Sequence, residues 1–130
     1  MTIRVLQPPG WPRPKGYANG MVAEGRQVFV AGQVGWDEQQ QFPKTLAEQV
    51  RQTLKNIVTV LREGDAGPEH IVRLTWYIIS RDEYNAELQQ IGEAYREILG
   101  RHFPTMSVVQ VVALMEAQAK VEIEATAVIP

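Results

Sequence analysis

Two carboxylate side chains lie close together near the end of the chain, where a single isoleucine separates Glu122 from Glu124. The surrounding residues favour a β-strand. Side chains alternate between the two faces of a strand, so both carboxylates would project from one face about 7 Å apart. A pair at this spacing is able to divide acid and base roles or to activate a water molecule. A solvated strand face predicts the same pattern, so the spacing alone leaves both interpretations open.

Other residue types exclude several kinds of chemistry. The chain has no cysteine, which rules out disulfides, thiolate nucleophiles and cysteine-based zinc or iron–sulfur sites. The two histidines, His70 and His102, have no third metal-type ligand at short spacing, so we expect no metal site and structural or surface roles for both. The sequence also lacks a Walker loop, a Gly-x-Gly-x-x-Gly motif and a Gly-x-Ser-x-Gly nucleophile motif.

Three tryptophans are candidates for a ligand platform. Trp76 lies within an apolar segment, which favours packing beneath a helix. Trp36 lies between Gly35 and Asp37 at the predicted end of a strand, a position where pockets often open. Of the three, Trp36 is therefore the better candidate for contact with a small molecule.

The elements that position these residues are expected to form one domain, residues 1–130, because two separate cores in a chain of this length would each be marginal. Hydrophobic residues make up 45% of the chain and charged residues 22%, which is typical of a globular protein. The net charge of −2 offers no basic field to nucleic acid. Neither a membrane-length apolar run nor a secretory signal is visible, so we expect a soluble, cytoplasmic protein with no nucleic-acid or membrane partner.

The first third of the chain predicts a loop followed by a hairpin. Prolines and glycines over 7–19 indicate irregular structure. Residues 21–23 and 27–34 flank a turn at 24–26, and the apolar run from Val28 to Ala31 predicts a central strand buried on both faces. Gly32 and Gly35 predict a bulge or a close approach of the backbone.

Two helices and three further strands follow. Thr45 and Glu48 match a capping box, and helical spacing of apolar residues continues to a stop at Gly64. A second helix is expected from about Asp82 to Gly100. The strands are expected at 71–79, 107–114 and 119–128.

The resulting order, β-β-α-β-α-β-β, predicts an α+β fold in which both helices pack on one face of a single mixed sheet. The third strand would place Val72, Leu74, Trp76 and Ile78 on one side and Ile71, Tyr77 and Ile79 on the other. Two helices cover only one face, so we expect the opposite face to contact another subunit.

Four segments resemble the reactive intermediate deaminase family (Rid, also called YjgF-like and formerly L-PSP endoribonuclease). They are Gly16-Tyr17-Ala18-Asn19-Gly20, Val30-Ala31-Gly32-Gln33-Val34-Gly35, Phe103-Pro104-Thr105-Met106-Ser107 and Lys120-Val121-Glu122-Ile123-Glu124-Ala125-Thr126-Ala127. The resemblance extends in order over nearly the whole chain. Its most specific parts are the final strand and the Phe-Pro turn.

The resemblance implies the chorismate-mutase-like fold and a homotrimer with small-molecule clefts between subunits. Active members hydrolyse imines and enamines to carbonyl compounds and ammonia without a cofactor. Tyr17, Gly32 and Glu122 match retained positions, and the resemblance associates Glu122 with the handling of water in the pocket.

Four positions depart from the family pattern. Met106 replaces the arginine that holds the substrate carboxylate, and a thioether has no hydrogen to donate. Ala31 replaces a small hydroxyl residue, Gly92 an asparagine and Val108 a cysteine. The resemblance therefore implies an apolar cleft that binds an imine or enamine lacking a carboxylate.

Four other cations are candidates to replace the missing arginine. Arg13 and Lys15 precede Tyr17, and Arg73 and Arg101 lie elsewhere in the sequence. Surface roles are expected for them.

Three functions remain open at this point. The first is a deaminase in which Tyr17 binds the ligand, Glu122 handles water, and Met106, Val108 and Trp36 shape the wall. The second is a non-catalytic module that binds a metabolite in the same clefts. An endoribonuclease ranks last, because the chain has neither a basic, aromatic stripe nor a histidine pair.

Overall fold

The computed structural model describes residues 3–130. In chain order its elements are β1 (Arg4–Leu6), β2 (Gly20–Val22), β3 (Arg26–Val34), α1 (Leu46–Glu63), a 3-10 turn (Pro68–His70), β4 (Ile71–Ile78), α2 (Arg81–Ala86), α3 (Leu88–Leu99), β5 (Thr105–Gln110) and β6 (Val121–Ile129). None of the helices in this range is long and apolar enough to cross a membrane.

The main sheet has four strands in the order β3-β6-β4-β5. Strand β6 runs antiparallel to β3 and to β4, whereas β4 and β5 are parallel. Helix α1 connects β3 to β4, and helices α2 and α3 connect β4 to β5. The predicted α+β class and the mixed sheet are confirmed.

Helix α1 has the predicted cap at Thr45, but the capping box is only half formed because the Glu48 side chain binds Arg51. The Thr45 side chain accepts a hydrogen bond from the Glu48 backbone N–H at 3.2 Å, which satisfies one of the free donors of the first turn. The helix ends at Gly64. Its apolar stripe, from Leu46 to Leu61, is buried against the sheet and forms the centre of the core.

The predicted second helix is two helices, α2 and α3. Ser80 caps α2 by accepting a hydrogen bond from the Glu83 N–H at 3.0 Å, and α3 ends at Gly100 as expected. The break falls at Glu87, whose carboxylate accepts a hydrogen bond from the Ala47 N–H at 2.9 Å. The interruption thus places a carboxylate at the N-terminal end of α1, where the helix dipole stabilises negative charge.

The predicted hairpin between 21–23 and 27–34 is wrong. Strand β2 pairs instead with β1, a strand the sequence analysis missed, in a separate two-stranded sheet. Strand β3 pairs with β6, near the other end of the chain. The turn around Gly25 connects two sheets because long-range pairing with β6 outweighs local hairpin formation, which sequence patterns overestimate.

Strand β3 is also not central. It forms an edge of the main sheet, and Phe29 within it is 70% exposed, whereas Val30 is buried. Strand β3 has apolar residues on both faces, and the two faces have different surroundings. One face packs on α1, and the other lies on the side of the sheet that no helix of this chain covers.

A register shift in β4 alters the predicted alternation. Pairing with β6 is irregular between Ile71 and Arg73, so Ile71 joins the core together with Leu74 instead of pointing away from it. Leu74, Trp76 and Ile78 face the helices as expected. The predicted strand 107–114 is shorter than expected, because β5 ends at Gln110.

The predicted bulge in β3 is confirmed, since its pairing with β6 shifts between Val30 and Gln33. Gly35, just beyond the strand, approaches helix α1 so closely that an added Cβ would lie 2.6 Å from the Gln49 carbonyl oxygen. Only glycine allows this approach of the strand end to the helix.

Candidate functional site

A cavity of about 530 Å³ opens where α2 and α3 pass over β5, the second edge of the main sheet. This volume lies within the range of small-molecule sites. The residues that line it are Lys15, Gly16, Tyr17, Trp76, Tyr84, Leu88, Ile91, Gly92, Tyr95, Arg96, Phe103, Met106 and Val108. Six candidate residues from the sequence therefore meet in one place: Lys15, Tyr17, Trp76, Gly92, Met106 and Val108. Trp76 was expected to pack beneath a helix and Lys15 to have a surface role.

The proline-rich loop carries Tyr17 to this cavity. The Ala18 N–H donates to the Pro104 carbonyl oxygen at 3.0 Å, and Ala18 forms a parallel bridge with Thr105. Thr105 in turn donates its hydroxyl hydrogen to the Val72 carbonyl oxygen. These bonds tie the loop to the Phe-Pro turn, so that Tyr17 and Met106 stand at the same cavity.

The inner wall of the cavity is aromatic. Trp76 contacts Tyr84 edge-on, with ring centroids 6.4 Å apart, and stacks on Tyr95 at 6.5 Å. Tyr95 also stacks on Phe103 at 5.7 Å and donates its hydroxyl hydrogen to the His102 carbonyl oxygen at 2.6 Å. Burial raises the pKa of both Tyr84 and Tyr95, which moves phenols that are already neutral at physiological pH further from ionisation.

A second group of candidate residues lies on the uncovered face of the sheet. Glu122 stands opposite Val34 of β3 and Tyr77 of β4. Its Oε2 atom lies only 2.0 Å from the position a Cβ would take on Gly32, so the glycine makes room for the carboxylate. Ala31 is exposed beside Gly32 in the bulge.

Glu124 shares this face with Glu122, as the alternation predicts, but its surroundings differ. The Tyr77 hydroxyl donates to Glu124 Oε1 at 2.9 Å, and this bond raises the pKa of Tyr77. The Glu122 carboxylate, in contrast, accepts no hydrogen bond from any residue between 3 and 130. Of the two acids, Glu122 is the one with both oxygens free of partners among these residues, whereas Glu124 has one oxygen bound by Tyr77 and lines a separate cavity of about 380 Å³.

The two groups do not meet within one chain. Glu122 and Gly32 line none of the four cavities described, whereas Tyr17 and Met106 both line the cavity at β5. Trp36 is separate from both groups. It packs on Phe42 with ring centroids 5.7 Å apart, and its carbonyl oxygen accepts a hydrogen bond from Asn56 at 2.9 Å.

The histidines have structural contacts. His70 Nδ1 accepts a hydrogen bond from the Gly67 N–H at 2.9 Å, and His102 Nε2 lies 2.7 Å from the Ile71 carbonyl oxygen. Across the described residues, no three His, Cys, Asp or Glu side chains gather in a way that would hold a metal ion.

Sequence reasoning missed Arg96, which lines the cavity together with Lys15. The signal was the spacing of Gly92 and Arg96, four residues apart on one helix, which places them on the same face. Arg13, Arg73 and Arg101 are exposed and do not line this cavity.

Comparison with known proteins adds an independent observation. The family model described as Endoribonuclease L-PSP matches residues 12–129, which is nearly the whole chain. The chain belongs to this family, also known as Rid or YjgF-like. The resemblance seen in the sequence is thereby confirmed.

Proteins of the Rid family align with this chain over almost its full length. The 2-iminobutanoate/2-iminopropanoate deaminase of Homo sapiens is 27% identical, over 96% of this chain and 89% of its own length. The crystal structure of the Rid-family protein YyfB from Yersinia pestis superposes with a TM-score of 0.86 at 30% identity, covering 99% of this chain and all of that one. E. coli TdcF with bound serine superposes with a TM-score of 0.71 at 28% identity, covering 98% of this chain and 99% of that one.

Proposed function

We propose that this chain is a cofactor-free imine and enamine hydrolase whose active sites form between the subunits of a homotrimer. The observation that carries the proposal is the separation of the candidate residues into two groups. Tyr17, Gly92 and Met106 line the cavity at β5, whereas Gly32 and Glu122 lie on the uncovered sheet face. A second copy that places its uncovered face against the β5 edge would unite them.

The exposed apolar surface supports such an assembly. Phe29 on the uncovered side is 70% exposed, and Val112 and Met115, just beyond β5, are almost fully exposed. Val109 in β5 itself is 43% exposed. Apolar side chains concentrated at a sheet face and at its edge are typical of a surface buried in an oligomer.

The reaction assigns a distinct task to each group. Glu122 holds a water molecule and removes a proton as the water oxygen attacks the imine carbon. Glu122 returns this proton to the nitrogen, and the C–N bond of the carbinolamine breaks as its hydroxyl group loses a proton. An imine and one water molecule thus give a carbonyl compound and ammonia. Tyr17 donates a hydrogen bond that orients the ligand. An enamine substrate first tautomerises to the imine, gaining a proton at carbon and losing one from nitrogen.

The substrate range is expected to differ from that of relatives such as the human deaminase. Met106 and Val108 present a thioether and a methyl-bearing wall where the family pattern has an arginine and a cysteine. Ala31 and Gly32, in the bulge of the partner copy, present backbone groups to the ligand. Gly92 has no side chain to project from α3 into the cavity. Trp36, which packs on Phe42, is assigned no role in this site.

A non-catalytic role is the second candidate, and Met106 is the observation that favours it. Methionine adapts to apolar ligands of varied shape but supplies no charge to bind or polarise a substrate. RNA cleavage is disfavoured, because a net charge of −2 provides little attraction for a phosphate backbone. We further propose that residues 1–130 form one domain that acts in the cytoplasm without a metal or cofactor; Met1 and Thr2 lie outside the described residues.

Ammonia release tests the proposed reaction. The purified protein is expected to release ammonia from at least one member of a panel that contains freshly generated 2-aminoacrylate, further 2-imino acids and carboxylate-free imines. Met106→Arg restores the family's arginine and is expected to raise activity on 2-aminoacrylate. Saturable ligand binding with thermal stabilisation but no ammonia from either protein would favour the non-catalytic role and contradict hydrolysis.

Because each proposed active site takes residues from two subunits, two inactive variants are expected to complement each other. Tyr17→Ala and Glu122→Ala chains, co-expressed in equal amounts, are expected to recover about a quarter of the wild-type activity, because that fraction of sites combines two intact halves from different subunits. Sedimentation equilibrium should give a mass of three chains for the wild type. A monomeric mass, or the absence of recovery in mixed oligomers of confirmed composition, would contradict an intersubunit site.

A further inference from the structure

The cavity at β5 carries positive charge although it lacks the arginine of the family pattern. Among residues 3–130 of one chain, its lining contains two cations, Lys15 and Arg96, and no carboxylate. The two phenols in the wall, Tyr84 and Tyr95, are neutral at physiological pH and add no negative charge. A ligand that enters this cavity therefore meets an apolar, aromatic surface and two positive charges.

Arg96 lies against Gly92 one turn earlier in α3. Its Nη1 atom is 3.3 Å from the position that a Cβ on Gly92 would occupy, and its Nη2 atom is 3.9 Å from the same point. A side chain at 92 would therefore press on the guanidinium group. Glycine at 92 leaves the guanidinium in this position, although a flexible arginine would need to shift by only a few tenths of an ångström to accept a Cβ there.

The Arg96 guanidinium has donors to spare. Among residues 3–130 it forms neither an ion pair nor a side-chain hydrogen bond, whereas Arg51 of α1 is bound by both Glu48 and Glu97. A guanidinium group has five N–H donors in a planar arrangement that matches a carboxylate. Arg96 is thus able to bind an anion without first breaking an existing contact.

A purely structural role for Arg96 has to be separated from ligand binding. It is the basic residue of the last turn of α3, where a cation interacts favourably with the helix dipole. Arg62 occupies the equivalent place in the last turn of α1, is exposed, and lines none of the cavities described. Arg62 therefore provides a matched control for the helix-dipole contribution.

We propose that Arg96 is the anion-binding residue of this cavity and determines the substrate range, which consists of small carboxylates with an apolar or aromatic body. The carboxylate binds the guanidinium from the α3 side of the cavity, and the apolar body lies against Met106, Val108 and the aromatic wall. In the family pattern an arginine in β5 binds the substrate carboxylate. Here Arg96 of α3 takes that role, so this protein still binds carboxylate substrates. This inference rests on the proposed imine hydrolysis for its biological meaning, although the anion site itself is testable by binding alone.

The test compares two probes of equal shape, phenylacetate and the neutral phenylacetamide, by isothermal titration calorimetry. The wild-type protein is expected to bind phenylacetate more tightly than the amide. Arg96→Gln should raise the Kd for phenylacetate by about 10- to 100-fold and leave the Kd for the amide unchanged. Arg96→Lys should retain part of the preference, and Arg62→Gln should retain all of it.

Gly92→Asn provides an independent variant that keeps the arginine. The new side chain displaces the guanidinium, so the affinity for phenylacetate is expected to fall while thermal stability does not, because asparagine is a better helix residue than glycine. Equal binding of both probes by the wild type, failure of the wild type to bind phenylacetate, or an unchanged Kd in Arg96→Gln would each overturn the proposal.

The experiments distinguish failure of the proposed anion site from failure of the proposed hydrolysis. Ammonia release from neutral imines by a protein that does not bind phenylacetate would retain the proposed function and reject the role of Arg96. Binding of phenylacetate that depends on Arg96, without ammonia release from any imine, would retain the anion site and reject hydrolysis.

Discussion

Replacing Glu122 with alanine is expected to lower the turnover number for ammonia release by about 10²- to 10⁴-fold, the contribution typical of a positioned general base. We assign this role to Glu122 because its carboxylate accepts no hydrogen bond from residues 3–130 and lies against Gly32 on the uncovered sheet face. Loss of the carboxylate removes the group that accepts the proton of the attacking water. Steady-state assays over a range of pH measure the effect.

Glu124→Ala is the matched control for this prediction. Glu124 lies on the same strand and the same face, but its carboxylate already accepts a hydrogen bond from Tyr77. We expect Glu124→Ala to keep its turnover number within a few-fold of wild type and Glu122→Gln to be as defective as Glu122→Ala. Full activity in Glu122→Ala, at an unchanged oligomeric mass, would show that another group handles the water.

Replacing Gln49 with leucine is expected to reduce the free energy of unfolding by about 2–4 kcal/mol, because several backbone groups lose their hydrogen-bond partner at once. Gln49 is 1% exposed in helix α1. Its Nε2 atom donates to the carbonyl oxygens of Pro43 and Gln118, each at 3.0 Å, and its Oε1 atom accepts from the Lys120 N–H at 2.8 Å. A single side chain thereby fixes the segment that leads into β6.

Urea unfolding at one fixed protein concentration measures this loss, since the stability of an oligomer depends on concentration. Gln90→Leu, an exposed position in α3, is the control and should change the free energy of unfolding by no more than about 0.5 kcal/mol. Gln49→Glu keeps the acceptor but sets a carboxylate oxygen against two carbonyl oxygens in a buried site, so it should destabilise at least as much as Gln49→Leu. If Gln49→Leu unfolds at the wild-type urea concentration, the buried hydrogen bonds contribute no net stability.

The sequence determined much of the fold because its signals were local. The cap at Thr45, the apolar stripe of α1 and the stop at Gly64 depend on residues close together along the chain, and all three were predicted. The position of Gln49 was readable in principle, because it falls on the same helical face as Leu46 and Thr53, both buried. A polar residue on the core face of a helix indicates a buried hydrogen-bonding role.

The sequence did not predict which strands pair when they lie far apart along the chain. The apolar run around Val28 is typical of a central strand, yet β3 is an edge strand, and β2 pairs with β1 instead of with β3. Strand pairing depends on which distant segments compete for the same edge, and that competition leaves no local pattern. The break between α2 and α3 at Glu87 was missed for the same reason, since it depends on a hydrogen bond to Ala47, forty residues away.

The candidate site divides in the same way. The sequence by itself determined the family and the residue types available, including Glu122, Tyr17 and the methionine at 106. Only the tertiary structure decided that Tyr17 and Met106 share a cavity, that Glu122 stands apart on the uncovered face, and that Arg96 enters the cavity beside Gly92. The physical reason is that a motif specifies chemistry at one position, whereas a cavity is formed by the packing of a loop, a helix and a strand edge that are distant in sequence.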